Sequence, residues 1–100
     1  MQLHDRKLVV IFAEATLERL LVDDVRRLGA SGYTVVDCRG GGAGGDRGAL
    51  WDSDRTIRLE VVCDERVADA VAEYVRGRYL RDYSLSLYVT DVRVVRPEKY

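Results

Sequence analysis

The fold of this chain is decided by the stretch TIRLEVVCDERVADAVAEYV, residues 56–75. Its first eight residues alternate, and Ile57, Leu59, Val61 and Cys63 share one face, as in a β-strand that buries one side. Asp64 then precedes apolar residues at helical spacing, so we expect it to cap a helix. The buried stripe of that helix is predicted to comprise Val67, Ala70, Val71, Tyr74 and Val75.

Similar signals lie on both sides of this stretch. Residues 8–12 form an apolar, β-branched run that predicts a first strand. Thr16 is expected to cap a helix over about residues 16–28, which Gly29 ends, and a second strand follows over about residues 33–39. A last strand is predicted over about residues 84–96. Its apolar phase shifts by one position, which predicts a bulge near Thr90 and Asp91.

The element order β-α-β-β-α-β predicts an α+β fold, a ferredoxin-like sandwich in which a four-stranded antiparallel sheet carries two helices on one face. We expect one domain over residues 1–100. The first strand is apolar at both alternations, and Tyr88, Val92 and Val94 lie opposite the other apolar set of the last strand. Because the helices cover only one face, we expect the second face to be covered by further copies of the chain in a homo-oligomer.

Composition excludes several partners. The formal net charge is −1, which gives no reason to expect nucleic acid. No apolar run approaches the ~18 residues of a membrane span, and the first residues lack a secretory pattern. Cys38 and Cys63 lie on separate predicted strands and are expected to be free thiols. The expected location is therefore the cytoplasm.

A glycine-rich arm, residues 40–54, joins the second and third strands of the sandwich. Gly40, Gly42 and Gly45 match the spacing G-x-G-x-x-G, but a strand and not a helix follows, so a dinucleotide fold is not indicated. Glycine lets backbone N–H groups approach an anion, and Arg47 could clamp one. We expect this arm to be mobile in the free protein; a hairpin loop that stays disordered is the alternative.

Other candidate residues give weaker signals. Trp51 lies in the arm, either as a partner contact or in local packing. Asp52 and Asp54 could hold a cation, although a solvated loop end explains them as well. His4 is the sole histidine and has no partners at metal-ligand or relay spacing. We expect no metal site and no catalytic residues, and the chain contains no asparagine for acylphosphatase chemistry.

Two segments carry a family resemblance. The sequences GASGYTV, residues 29–35, and YVTDVRVVRPEKY, residues 88–100, resemble the PII-like signalling proteins, of the nitrogen regulatory P-II superfamily. The chain looks closest to the carbon-regulatory branch that accompanies bicarbonate transporters. The glycine-rich arm occupies the position of that family's T-loop. Gly44 stands where that branch has the first of two T-loop arginines, and Arg47 matches the second.

The resemblance implies a homotrimer that binds adenine nucleotides in clefts between subunits and acts through the T-loop, not as an enzyme. It implies ATP, ADP, AMP or cyclic AMP as regulatory ligand, with bicarbonate as a further ligand, and a membrane transporter or metabolic enzyme as target. The nucleotide-binding positions carried over are Gly32, Tyr33, Thr34, Gly40, Gly41, Gly42 and Arg47. Two alternatives stay open: a small ferredoxin-like enzyme with an anionic substrate clamped by Arg47, and a trimeric scaffold similar to CutA.

Overall fold

A four-stranded sheet that carries two helices is the framework of the chain. The computed structural model describes residues 1–42, 45–47 and 55–100. In chain order they form β1 (His4–Glu14), α1 (Glu18–Arg27), β2 (Thr34–Cys38), β3 (Gly40–Gly42), β4 (Gly45–Arg47), β5 (Thr56–Cys63), α2 (Glu65–Arg78) and β6 (Ser86–Val94). The main sheet is antiparallel in the order β2-β5-β1-β6. The predicted α+β, ferredoxin-like sandwich is confirmed.

The helix-covered face of the sheet holds the hydrophobic core. Ile11, Leu59 and Leu21 are fully buried there, and burying each such side chain contributes about 1.5–3 kcal/mol. The predicted alternation of β5 is confirmed, because its four apolar positions all belong to this core. The core comprises Val9, Ile11, Ala13, Leu17, Leu21, Val25, Ile57, Leu59, Val61, Cys63, Val67, Ala68, Val71, Val75, Tyr79 and Leu85.

Neither α1 nor α2 lies against the opposite side of the sheet, here called the open face. Residues that lie directly opposite in antiparallel strands share a face, so the register assigns its members. They are His4, Arg6, Leu8, Val10, Phe12, Glu14, Thr34, Val36, Cys38, Thr56, Arg58, Glu60, Val62, Ser86, Tyr88, Thr90, Val92 and Val94. Val10 is fully buried at its centre, whereas Val36 and Tyr88 are 45% and 47% exposed. One chain therefore leaves apolar side chains of its own sheet uncovered.

The start of α2 follows the sequence prediction. The side chain of Asp64 accepts a hydrogen bond from the Val67 N–H at 2.8 Å, which satisfies one of the unpaired donors of the first turn. Val67, Val71 and Val75 are buried as predicted. Ala68 completes the buried stripe, while Ala70 and Tyr74 are only half-buried.

The start of α1 does not follow the prediction. Thr16 is not an N-cap, because residues Ala15–Leu17 already form a turn of 3-10 helix and α1 begins at Glu18. The residue at the N-cap position, Leu17, has a helical backbone and no side-chain cap hydrogen bond. The Ala15 N–H donates to the Arg55 carbonyl oxygen at 2.8 Å, so this turn begins directly where β1 ends and is held by the neighbouring segment.

The predicted bulge in the last strand is wrong. β6 pairs with β1 in one unbroken register from His4 opposite Val94 to Phe12 opposite Ser86. The apolar phase changes because the surroundings of the strand change. Near the start of β6, Leu87 packs against the core. Further on, Asp91 on the same face is paired with Lys7, and the apolar side chain moves to Val92 on the open face.

The glycine-rich arm begins with strand structure that the sequence does not predict. β3 and β4 form a two-stranded antiparallel sheet in which Gly40 lies opposite Arg47 and Gly42 opposite Gly45. The predictions for Gly44, Trp51, Asp52 and Asp54 lie outside the described residues, as does the rest of the arm.

In the described part of the chain, none of the helices is long and apolar enough to span a lipid bilayer.

Candidate functional site

The first group of candidate residues lies between α1 and β2. α1 is followed by Gly29, whose φ of +117° is a conformation that favours glycine, and a Cβ there would approach Val67 Cγ2 to 3.1 Å. Packing and backbone geometry therefore explain Gly29. They do not explain Gly32, since a Cβ at that position would meet no atom within 4 Å. The surface beside Gly32 has space for a group from outside the chain.

Tyr33 and Thr34 follow this space. The Tyr33 side chain is exposed, and the guanidinium carbon of Arg26 lies 5.0 Å from its ring centroid. Thr34 opens β2, is exposed, and lies opposite Glu60 of β5. The beginning of β2 thus presents an aromatic ring, a hydroxyl and, one strand away, a carboxylate.

The second group of candidates lies beyond the other end of β2. Gly40, Gly41 and Gly42 form β3, and the pairing with β4 brings the backbone of Arg47 opposite Gly40. A Cβ on Gly40 would meet no atom within 4 Å, so its backbone is also open to an approaching group. The pairing therefore places the backbones of Gly40 and Arg47 opposite each other, and their shared role in a site stays a prediction.

The two groups do not form one pocket within a single chain. They lie at opposite ends of β2, whose four residue steps span about 13 Å at the usual rise of ~3.3 Å per residue. A ligand that reaches both groups must be elongated and lie along this edge strand. β2 is an edge of the sheet, so a neighbouring molecule can approach the same strand from outside.

Ion pairs hold the surroundings of β2 in place. Arg55 Nη2 lies 3.0 Å from Asp37 Oδ1, which links the residue before β5 to β2. On the open face, Arg58 Nε lies 2.7 Å from Glu60 Oε2, but the angle does not make a hydrogen bond and Nε is buried. The two side chains therefore interact through their opposite charges and not through a hydrogen bond. The Arg58 guanidinium also lies 5.8 Å from the Phe12 ring centroid.

A buried polar contact fixes the chain after α2. Tyr79 is 2% exposed, and its hydroxyl donates to Asp24 Oδ2 of α1 at 2.5 Å. Burial and this hydrogen bond raise the pKa of Tyr79 well above its usual value. Arg27 Nη2 lies 3.2 Å from the other carboxylate oxygen of Asp24. The contact ties the C-terminal end of α2 to α1.

A cleft of about 340 Å³ lies away from all of these candidates. It is lined by Asp5, Arg6, Lys7, Glu65 and Asp91, and it contains none of the candidate residues predicted from the sequence. Lys7 and Asp91 form an ion pair there, and the hydrogen bond from Lys7 to Asp91 raises the pKa of Lys7. Among the described residues, no group of three or more His, Cys, Asp and Glu side chains is placed to hold a metal ion.

Some residues near the candidate site could not be predicted from the sequence. Arg26 and the Asp37–Arg55 pair belong to elements that approach one another only after folding. Glu60 looks like an ordinary solvent-facing residue of an alternating strand until the register puts it beside Thr34. The one available signal is the presence of opposite charges at both ends of the arm, at Asp37 and Arg55.

Comparison with known proteins identifies the family. A family model described as Nitrogen regulatory protein P-II matches residues 6–99. The chain belongs to the P-II family. The predicted resemblance to PII-like signalling proteins is thereby confirmed, and the β-α-β-β-α-β sandwich with an arm after its second strand is the P-II fold of this chain. P-II proteins are regulatory proteins.

Solved structures support the same assignment. A candidate PII-like signalling protein from Thermus thermophilus is 44% identical, with 100% of this chain and 99% of that chain covered and a TM-score of 0.87. CPII from Thiomonas intermedia, in a structure bound to ADP and bicarbonate, is 25% identical, with 98% and 96% covered and a TM-score of 0.87. A second CPII structure, bound to ADP, AMP and bicarbonate, is 24% identical, has a TM-score of 0.88, and shows the shared fold over 98% of this chain and 95% of that one.

Proposed function

We propose that this P-II chain is a non-enzymatic regulator that binds an adenine nucleotide along β2 and signals through its glycine-rich arm. The observation that carries the proposal is the match over nearly the whole chain to CPII, whose structure contains ADP and bicarbonate. The candidate residues at both ends of β2 agree with an elongated ligand of this kind. ADP, AMP, ATP and cyclic AMP are the candidate ligands, with bicarbonate as a second one.

The two ends of β2 have different roles in this proposal. Gly32, Tyr33 and Thr34 bind the base end, where the chain offers a ring, a hydroxyl and unfilled space. Gly40, Gly41, Gly42 and Arg47 bind the phosphate end, because backbone N–H groups and a guanidinium suit an anion. The distance between the two groups is that of a ligand with separate base and phosphate parts.

A single chain supplies only one wall of such a site. The exposed side chains of Val36 and Tyr88 favour further copies of the chain against the open face. A closed assembly of three copies, as in the predicted homotrimer, covers these faces and brings a neighbour towards the edge strand β2. The nucleotide then lies between two subunits.

In this proposal the arm transmits nucleotide binding to a target protein. A phosphate bound at Gly40, Gly41 and Gly42 stabilises the β3–β4 pairing at the beginning of the arm, so the arm is presented differently to a target. The proposed target is a membrane transporter or a metabolic enzyme. Hydrogen exchange of the Gly40–Gly42 amides is expected to slow when ADP is added. Unchanged exchange at saturating ADP would contradict this mechanism without contradicting nucleotide binding.

Calorimetric titration with ADP, AMP, ATP and cyclic AMP, with and without bicarbonate, tests the proposal. We expect one nucleotide per chain. Thr34→Val is expected to weaken binding by about 1–3 kcal/mol and Arg47→Ala by about 1.5–3 kcal/mol, since each removes a polar partner. Arg19→Ala, at an exposed position of α1, is the matched control. No heat of binding with any of the four nucleotides at millimolar concentration would contradict the proposed function.

A further inference from the structure

The contact between Arg26 and Tyr33 has no role in the packing of the core. Arg26 lies in the last turn of α1 and Tyr33 just before β2. The guanidinium carbon lies 5.0 Å from the ring centroid, within the range of a cation–π contact. Tyr33 stays 40% exposed and is not a member of the core cluster. The contact therefore orders two surface side chains without burying them.

The neighbouring arginine of α1 provides an internal comparison. Arg27 is occupied twice, since it pairs with Asp24 at 3.2 Å and lies 4.6 Å from the Tyr74 ring centroid. Arg26 has Tyr33 as its contact, and its side chain has no ion-pair or hydrogen-bond partner among residues 1–42, 45–47 and 55–100. The contacts of Arg27 with Asp24 of α1 and Tyr74 of α2 explain its place at the helix pair. In the described part of the chain, no such contact between the helices explains Arg26.

The surroundings of Tyr33 suit a flat ligand. One side of its ring is occupied by Arg26, while the ring remains substantially exposed. The adjacent Gly32 leaves open space where a side chain would lie, and the exposed Thr34 follows with its hydroxyl. An exposed aromatic ring offers a stacking surface to any base, because every base has a π face. A ring held from behind by a guanidinium loses less freedom when a base stacks on it.

We infer that Tyr33 stacks on the purine base of the bound nucleotide and that Arg26 is a positioning residue that holds the Tyr33 ring from its other side. This inference rests on the proposed function and adds to it the means by which the base, as opposed to the phosphates, is recognised. It assigns base selectivity to the start of β2 and leaves phosphate binding to Gly40 and Arg47 at the far end.

Two probes separate the base end from the phosphate end. 1,N6-etheno-ADP reports stacking by the quenching of its fluorescence, and inorganic pyrophosphate carries the phosphates without a base. Tyr33→Leu is expected to weaken ADP binding about tenfold, to remove most of the quenching, and to leave pyrophosphate binding unchanged. Tyr33→Phe retains the ring and is expected to rescue most of the lost affinity.

Arg26→Gln tests the positioning role, with Arg19→Gln as a control that removes the same charge from an exposed site on the same helix. Arg26→Gln is expected to weaken ADP about threefold and to reduce quenching, with pyrophosphate unaffected. Arg19→Gln is expected to match wild type with both probes. Wild-type ADP affinity and quenching in Tyr33→Leu would overturn the inference and leave the proposed function intact. Equal losses for ADP and pyrophosphate would also overturn it. Failure of wild type to bind ADP would overturn the inference, and failure to bind any of the four nucleotides would overturn the proposed function as well.

Discussion

On the helix-covered face of the sheet, Ile11 and Leu59 are fully buried, whereas on the open face Val36 and Tyr88 remain nearly half exposed. Both faces belong to the same four strands and have the same backbone hydrogen bonds. They differ in what lies against them: α1 and α2 on one side, and neither of these helices on the other, where Arg6 Nη2 donates to the Pro97 carbonyl oxygen at one end of the face. The comparison separates residues that stabilise the single chain from residues available for assembly.

The largest effect is expected on the helix-covered face. Ile11→Ala should lower the free energy of unfolding by about 2–5 kcal/mol, because it removes buried methyl groups and leaves a cavity in a packed core. Leu20→Ala, at a half-exposed apolar residue of α1, should change it by less than about 0.5 kcal/mol. Denaturant unfolding at equal protein concentration measures both. If both variants lost similar amounts of unfolding free energy, the result would contradict the assignment of Ile11 to the core and Leu20 to the surface.

The next largest effect is expected at the buried contact between the helices. Tyr79→Phe should lower the free energy of unfolding by about 1–3 kcal/mol, because Asp24 loses its hydroxyl donor. The raised pKa of Tyr79 gives this effect a pH dependence. The stabilisation is complete below the ordinary tyrosine pKa of about 10 and is lost above it, because only the unfolded state then releases the proton.

Unfolding measured from pH 8 to pH 11 checks this prediction. The difference between wild type and Tyr79→Phe should be constant up to about pH 10 and should narrow above it. A difference that stays constant throughout that range would show that the Tyr79 hydroxyl does not stabilise the fold through its protonated form.

A smaller difference is expected in thiol chemistry, since each face carries one free cysteine. Burial, with a further contribution from Asp64, raises the pKa of the Cys63 thiol to about 11, so little thiolate exists at pH 8. Cys38, on the open face, is only half-buried. A thiol reagent at pH 8 should therefore modify Cys38 at least about tenfold faster than Cys63 in the native protein, as followed by mass spectrometry. Equal rates would contradict the burial of Cys63.

The parts of the fold that sequence reasoning predicts are those with local causes. The alternation of β5 reflects one buried face, the Asp64 cap satisfies an N–H three residues away, and Gly29 ends α1 in a conformation suited to glycine. Each signal lies within a few residues of the structure it specifies. The order of the main elements follows from such local signals, and the family resemblance depends on two short contiguous segments, so the sequence alone predicts both.

The errors have causes that are distant in sequence. Thr16 is displaced from the cap position by a turn that is held through Arg55, and the apolar phase of β6 follows the extent of the helix layer. Glycine carries no strand preference, so the pairing of β3 with β4 had no local signal. At the candidate site, the contact of Arg26 with Tyr33 joins the end of a helix to the residue before a strand, and only the folded chain brings them together.

The native mass of the assembly tests the difference between the two faces most directly. Light scattering at micromolar concentration should give about three times the 11.3 kDa of one chain. Tyr88→Glu, which places a charge on the open face, should reduce the mass to that of one chain with its helical circular dichroism retained, while Leu20→Glu on α1 should leave the larger mass unchanged. A stable wild-type monomer, or a Tyr88→Glu protein that keeps the larger mass, would contradict assembly through the open face.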